Sequence, residues 1–213
     1  MRAFLIFVLF SIFVLSEING REKNNGLDVT FSFIHPAKWS LNEYKYSVDP
    51  TLEVLYFFSL SEKFLISSGI FAQTGKHNWE ELTAHMFWDG MMWWPGRGYY
   101  SRQLNYFCMG IPLKLEKKFT NFLFNSVFIG LTGGRYFSFE LTDSMADRVI
   151  PVEVEYDKFF WDLQLGFTKY LYQSTGLSIG ISPIAGARIH RTNIYNLNEY
   201  AWYGLSISAR ICK

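Results

Sequence analysis

The chain has 213 residues, enough for one domain with its own core. Its 20 Lys and Arg against 19 Asp and Glu give a net charge of +1, without the strong positive excess of a nucleic-acid-binding domain. Aromatic residues make up 19% of the chain and charged residues only 18%, against roughly 25% charged residues in typical soluble domains. This composition favours an environment in which apolar side chains can lie on the protein surface.

Residues 1–20 are typical of a cleaved secretory signal peptide. Arg2 supplies the positive charge, and residues 3–15 form an apolar run that is interrupted by a single Ser. The run is shorter than the ~20 residues that a membrane-spanning helix needs. We therefore predict an exported protein with one barrel domain at residues 21–213.

From residue 27 onward, the chain repeats segments of roughly ten residues in which apolar and polar side chains alternate. In residues 161–167, WDLQLGF, every second residue is large and apolar, and Asp, Gln and Gly lie between them. Alternation with a period of two marks strands with one apolar and one polar face. Eight strands are predicted, at about 27–35, 50–60, 64–76, 98–117, 121–137, 157–170, 175–191 and 200–212.

The connections between these strands are alternately short and long, which indicates an up-and-down barrel of the outer-membrane type. The short links are 61–63, 118–120 and 172–175, and the long links are 36–49, 77–97, 138–156 and 192–199. Within the second long link, residues 78–86, NWEELTAHM, fit a helical turn. The predicted fold class is all-β: an eight-stranded antiparallel transmembrane β-barrel, after a signal peptide, in the outer membrane of a Gram-negative bacterium.

The polar faces of the predicted strands carry small residues and a few charges. If the apolar faces contact lipid, the polar faces point into the barrel, which at eight strands is just wide enough for side chains to fill. A buried charge without a partner is costly. We therefore expect a charge network across the lumen, with Glu116, Asp162, Arg188 and Arg210 as candidates. The alternative is that these polar strand faces are simply exposed to water.

Aromatic residues gather near the ends of the predicted strands. Girdles of aromatic residues at the two membrane interfaces produce such a pattern, although aromatic residues also favour strands in general. Among the residues that we assign to the girdles are Tyr106, Tyr136, Phe159, Phe160 and Tyr203.

The stretch 86–100, MFWDGMMWWPGRGYY, concentrates apolar side chains in a predicted loop. Its aromatic residues could fold over the barrel mouth, dip into the outer leaflet, or bind an apolar or glycan partner. For recognition the candidates are Trp88, Trp93 and Trp94, because Trp tends to dominate binding hot spots. Simple packing is the alternative.

No residue pattern indicates catalysis or a cofactor. His77 and His85 do not have the spacing of a metal site, and no nucleophile elbow of the G-x-S-x-G type is present. Residues 133–135, GGR, lack the Lys-Ser/Thr of a phosphate loop, and glycines in a strand more often mark a bend or close packing. We expect no catalytic residue, no metal and no cofactor, and we expect Cys108 and Cys212 to be unpaired thiols.

Residues 104–119, LNYFCMGIPLKLEKKF, are similar to a strand and turn of the PorT-like outer-membrane β-barrels of Bacteroidota, with Ile-Pro-Leu at 111–113. Residues 127–136, VFIGLTGGRY, resemble the strand that follows in that family. The resemblance covers most of residues 27–213. Gly110 replaces the family's acidic residue, and the chain ends ICK where such barrels usually finish on an aromatic residue. The resemblance implies an eight-stranded outer-membrane barrel without a shared active site.

Three functions are compatible with the sequence. The first is a non-enzymatic outer-membrane barrel with a structural, envelope-assembly or loop-mediated binding role. Its partners would be outer-membrane lipid and other envelope or secretion proteins, with no nucleic acid and no small-molecule substrate. The second is an exported soluble barrel of lipocalin type that binds an apolar ligand, and the third is an outer-membrane hydrolase. The sparse charge on the polar faces favours the first.

Overall fold

A computed structural model describes residues 25–37, 44–45, 48–88, 93–119, 123–145, 148–152, 155–190 and 199–212. The predicted signal peptide lies outside these residues. No helix in the described part of the chain has the length and apolarity to span a membrane. The strands are β1 (Asn25–Pro36), β2 (Tyr44–Lys45), β3 (Asp49–Ser59), β4 (Phe64–Trp88), β5 (Trp93–Lys118), β6 (Ser126–Met145), β7 (Arg148–Val152), β8 (Phe159–Gln173), β9 (Leu177–Ile189) and β10 (Glu199–Cys212).

Eight of these strands form a closed antiparallel barrel. The pairing order is β3, β1, β10, β9, β8, β6, β5 and β4, and the pairing of β4 with β3 closes the ring. The short strands β2 and β7 pair with β4 and β6 outside the ring. Each barrel strand therefore has a partner on both sides, and strands that follow each other along the chain are neighbours. The predicted eight strands and the all-β antiparallel barrel are confirmed, whereas the signal peptide stays a prediction.

The barrel is apolar outside and polar inside. In residues 159–167 of β8, exposed and buried residues alternate; the exposed ones are Phe, Trp, Leu, Leu and Phe, and the buried ones include Asp162 and Gln164. In residues 203–211 of β10, Tyr, Leu and Ile side chains are exposed, whereas Ser206 and Arg210 are buried. A soluble barrel of lipocalin type requires the opposite arrangement, so the structure excludes that alternative.

The apolar exterior has the same height on three strands of the barrel. Its outward rows are apolar over nine residues in the segments 107–115, 159–167 and 203–211. Nine residues at ~3.3 Å per residue, on a strand tilted by about 40°, span about 20–25 Å, which matches the ~25 Å lipid-facing band of bacterial barrels. Lys117 and Lys169 follow the band at the end with the short turns 60–63 and 174–176, here called the short-turn end. Asn105 follows it at the opposite, long-loop end.

Three neighbouring strands continue beyond the band at the long-loop end. β4, β5 and β6 have 25, 26 and 20 residues, whereas the other barrel strands have between 11 and 15. Beyond the band they form a sheet with β2 on one side and β7 on the other, called here the wall. At its far end, residues 81–88 of β4 pair with residues 93–100 of β5 and with no other described strand; this two-stranded hairpin is called the arm.

Two predictions for the long connections are wrong. The expected helical turn at 78–86 is part of β4, and the expected loop at 77–97 contains a hairpin whose register reaches Trp88 opposite Trp93. The link 138–156 is also partly regular, because β6 continues to Met145 and pairs with β7. Cross-strand hydrogen bonds satisfy the backbone groups of these segments, and this tertiary pairing overrides the local helical pattern.

A glycine in β6 allows a large side chain to lie against the inner wall of the barrel. A Cβ atom on Gly134 would lie 2.2 Å from a ring carbon of Phe160 and 2.9 Å from the carbonyl oxygen of Met109. The Phe160 side chain is buried in the lumen. The close packing expected for the glycines at 133–134 is therefore present.

We expect Gly134→Ala to lower the free energy of unfolding by about 1–3 kcal/mol, because the new methyl group displaces Phe160 from a filled interior. The matched control is Gly176→Ala in the turn between β8 and β9, where a Cβ atom meets nothing within 4 Å. Its effect should stay within about 0.5 kcal/mol. Urea unfolding of the two variants in detergent measures both changes, and equal stabilities would contradict the packing argument.

Candidate functional site

The lumen layer nearest the short turns is built around Arg210. Its Nη2 atom donates to Asp28 Oδ2 at 2.7 Å and to Glu116 Oε2 at 2.6 Å. Asp28 is the register partner of Arg210 on the neighbouring strand β1, whereas Glu116 reaches it from β5. The Tyr170 hydroxyl also accepts a hydrogen bond from this guanidinium. One cation thus joins two carboxylates in a charge-assisted network that links β1, β5, β8 and β10.

The middle layer contains an ion pair between Lys114 of β5 and Glu53 of β3, formed across β4. Both side chains are buried, and the Lys114 ammonium also lies 4.9 Å from the centre of the Phe128 ring. Beside this pair, the Ser182 hydroxyl donates to the hydroxyl of Thr168 at 2.8 Å. Short polar side chains therefore leave room for the long lysine and glutamate.

The third lumen layer, toward the long-loop end, is built around Arg188, which is 1% exposed. Its Nη2 atom donates to Asp162 Oδ2 at 2.7 Å and to Gln73 Oε1 at 2.6 Å. The other Asp162 oxygen accepts a hydrogen bond from Trp202 Nε1 at 2.8 Å. The guanidinium lies 4.3 Å from the centre of the Phe160 ring. A buried charge of this kind is tolerated only when its hydrogen-bonding groups have partners, as they have here.

Near the long-loop end, Asp49, which is the first residue of β3, contacts side chains of β4 and β5. Its Oδ2 atom lies 2.7 Å from His77 Nε2 and accepts a hydrogen bond of 2.6 Å from the Tyr106 hydroxyl. All three side chains are buried. The group therefore fixes the base of the wall to the barrel.

Aromatic side chains close the lumen above the polar layers. Tyr136 and Phe139 of β6 pack with ring centres 5.3 Å apart, and Tyr156, which precedes β8, stacks on Phe139 at 4.7 Å. His190, one residue beyond the end of β9, packs against Tyr136. Burial, assisted by the charge of Arg188, lowers the pKa of His190 to about 4, so its imidazole is neutral near pH 7. We call these four residues the aromatic cap.

The filled lumen leaves very little free space. Two interior cavities have volumes of about 10 and 30 Å³, which is room for about one and two water molecules. Around these two cavities, side chains fill the lumen and join the strands to one another.

All four charged residues proposed from the sequence point into the lumen, but they belong to two separate layers. Glu116 is paired with Arg210, and Asp162 is paired with Arg188. The sequence interpretation missed Asp28, the second carboxylate on Arg210. Its signal was available, because Asp28 lies on the polar face of the first predicted strand.

Trp88, Trp93 and Trp94 lie at the tip of the arm. Trp88 and Trp93 are register partners in the pairing of β4 with β5. Trp94 is the register partner of Phe87. The structure thus brings the backbone positions of the three tryptophans together at one tip.

The prediction of unpaired thiols agrees with the structure, whereas only some of the residues assigned to the aromatic girdles lie on the outside. Cys108 and Cys212 are unpaired, as expected. Of the residues assigned to the girdles, Phe159 and Tyr203 are exposed on the outside, whereas Tyr106, Tyr136 and Phe160 are buried inside. Strand ends alone therefore do not identify a girdle residue, because successive side chains point to opposite faces.

No protein-family model and no curated protein matches the sequence. Among solved structures, the chain is similar to Ail, the attachment invasion locus protein of Yersinia pestis, with 8% identity, a TM-score of 0.44, and coverage of 91% of this chain and 100% of Ail. A structure of Ail in complex with the heparin analogue sucrose octasulfate gives the same values. The translocator domain of the autotransporter NalP from Neisseria meningitidis has 9% identity and a TM-score of 0.27, with coverage of 99% and 96%. Similarity this distant assigns no role to any residue, and the PorT-like resemblance stays a prediction.

We expect Arg188→Met to lower the free energy of unfolding by about 3–5 kcal/mol, because it leaves the Asp162 carboxylate buried without its cation. Asp162→Asn keeps a carbonyl acceptor for Trp202 but removes the charge. The double variant should therefore lose less than the sum of the two single losses. Urea unfolding of the three variants forms a double-mutant cycle, and strictly additive losses would show that the pair is not coupled. The control is Lys169→Met, which removes an exposed cation from the outside of the barrel and leaves no buried carboxylate without its partner.

Proposed function

We propose that this chain is a non-enzymatic outer-membrane β-barrel protein of a Gram-negative bacterium, and that its wall and arm act as a binding surface outside the cell. The observation that carries the proposal is the sidedness of the barrel: an apolar outer band about 20–25 Å high surrounds a filled polar interior. In lipid, a closed barrel satisfies every backbone hydrogen-bonding group, and bacteria place such barrels in the outer membrane.

The contents of the lumen favour a structural or binding role over catalysis. Arg188, Arg210 and Lys114 are each held by carboxylates, so their charges already serve to join strands. His77 and Asp49 resemble two members of a catalytic triad, but the Tyr106 hydroxyl donates to the same carboxylate oxygen. These interactions are used within the protein, which argues against the hydrolase alternative.

The arm provides the most suitable surface for a partner. It extends by eight register pairs, or about 25 Å, beyond the strands that flank it. Trp88 and Trp93 are register partners at its tip, and tryptophan residues often dominate binding hot spots. We infer that this tip recognises another envelope or secretion protein, or a glycan.

The resemblance to PorT-like barrels supports a finer form of the proposal. The Ile-Pro-Leu sequence at 111–113 lies in the membrane-spanning part of β5, where Ile111 and Leu113 belong to an outward row. Export through a signal peptide at residues 1–20 fits the same assignment. One named relative in that family belongs to a protein-secretion apparatus, so an envelope-assembly role is the form of binding to examine first.

We expect the protein to fractionate with outer membranes and to migrate differently on a gel before and after boiling. The shift arises because a closed, hydrogen-bonded barrel resists detergent until it is heated. Cell fractionation followed by electrophoresis of boiled and unboiled samples measures both properties. A soluble band without a shift would overturn the proposal.

The second prediction concerns the side of the outer membrane on which the wall and the arm lie. We expect protease added to intact cells to cut within residues 81–100, because the arm projects from the long-loop end, and to leave the barrel intact. A variant in which an Asn-Gly turn replaces residues 81–100 should resist the protease and retain the heat-dependent shift. Cleavage of the arm only after the outer membrane is opened would place the wall on the opposite side.

A further inference from the structure

One cation lies on the lipid-facing surface at the long-loop boundary of the apolar band. Arg135 is exposed on the outside of β6, and residues 127–133 below it complete an apolar outward row. Its register partners are Met109 of β5 and Phe159 of β8, which belong to the last two rows of the band. The position is therefore close to the level at which hydrocarbon gives way to lipid headgroups.

Aromatic rings surround this guanidinium. Its Cζ atom lies 5.6 Å from the centre of the Phe137 ring and 5.9 Å from that of Phe159. Immediately below, the Trp161 ring lies over Gly133, where a Cβ atom would be only 3.1 Å from it. The rings hold the side chain against the barrel surface at the height of the boundary, so the cation is preorganised there.

Arg135 differs from the lumen arginines because it has no carboxylate partner among the residues that the structure describes. Arg188 and Arg210 are each paired with carboxylates, whereas no carboxylate of the described residues forms an ion pair with Arg135. The acidic side chains of the adjoining segments are Glu140, Glu155 and Asp157, and the basic one is Lys158. An anion from the membrane itself is the partner that this position can reach.

We propose that Arg135 binds the phosphate group of a membrane lipid in the leaflet at the long-loop end, an inference that rests on the proposed membrane function. A guanidinium can donate two parallel hydrogen bonds to a phosphate, which an ammonium cannot do. The rings of Phe137, Phe159 and Trp161 contact the apolar part of the same lipid. The binding site thus combines a phosphate ligand for Arg135 with an apolar collar below it.

The test uses the full barrel refolded in detergent and native mass spectrometry of its lipid adducts. The probes are dioctanoyl phosphatidic acid, which carries the phosphate, and dioctanoylglycerol, which lacks it. We expect Arg135→Gln to weaken phosphatidic acid binding about fivefold, the effect of one interfacial charge, and to leave dioctanoylglycerol binding unchanged. Arg135→Lys should fall between the two, because it keeps the charge but loses the second parallel hydrogen bond.

The matched control is Lys169→Gln, which removes an outward cation from the short-turn end of β8. Phosphatidic acid binding by this variant should equal that of the unaltered chain. Unchanged binding by Arg135→Gln, an equal loss in Lys169→Gln, or displacement of the lipid by equimolar inorganic phosphate would overturn the inference. All variants should keep the heat-dependent shift, so failure here is distinguishable from failure of the membrane proposal, in which the shift itself is missing.

Discussion

The structure depends on the need to satisfy every backbone hydrogen-bonding group within an apolar surround. A strand edge left open in lipid would expose a row of unpaired N–H and C=O groups, so the sheet closes into a ring of eight strands. Once the ring is closed, the period of two residues along each strand sends alternate side chains to lipid and to the lumen. The apolar band and the polar interior are two consequences of the same geometry.

The narrow interior imposes the second constraint. An eight-stranded ring has room for side chains but for very little water, so each charge in the lumen needs a partner within the protein. Arg210 and Arg188 meet this requirement by joining register partners on adjacent strands to groups on β5 and β4. The charged layers therefore link strands that the hydrogen-bond ladder alone does not connect, while Arg135 on the outside forms no ion pair with a described carboxylate.

The strands need not form a closed ring at the long-loop end, because this end lies beyond the apolar band. There β4, β5 and β6 are no longer part of a closed ring, and they form an open sheet with β2 and β7 in the described part of the chain. Aromatic residues on a hairpin that extends from the barrel are a feature that proteins use for recognition. In the proposed function, the barrel supplies the base in the membrane and the wall carries the surface that binds a partner.

The sequence by itself determined the number of strands and the face to which each side chain belongs, because alternation is a local property that any short segment displays. It therefore placed Glu116, Asp162, Arg188 and Arg210 on the polar faces and the apolar rows on the outside. The tertiary structure decided which charges meet, because pairing of Arg210 with Glu116 depends on closure across the lumen. It also decided that residues 77–97 extend as a hairpin, because only cross-strand pairing overrides the helical pattern and the glycines of that segment.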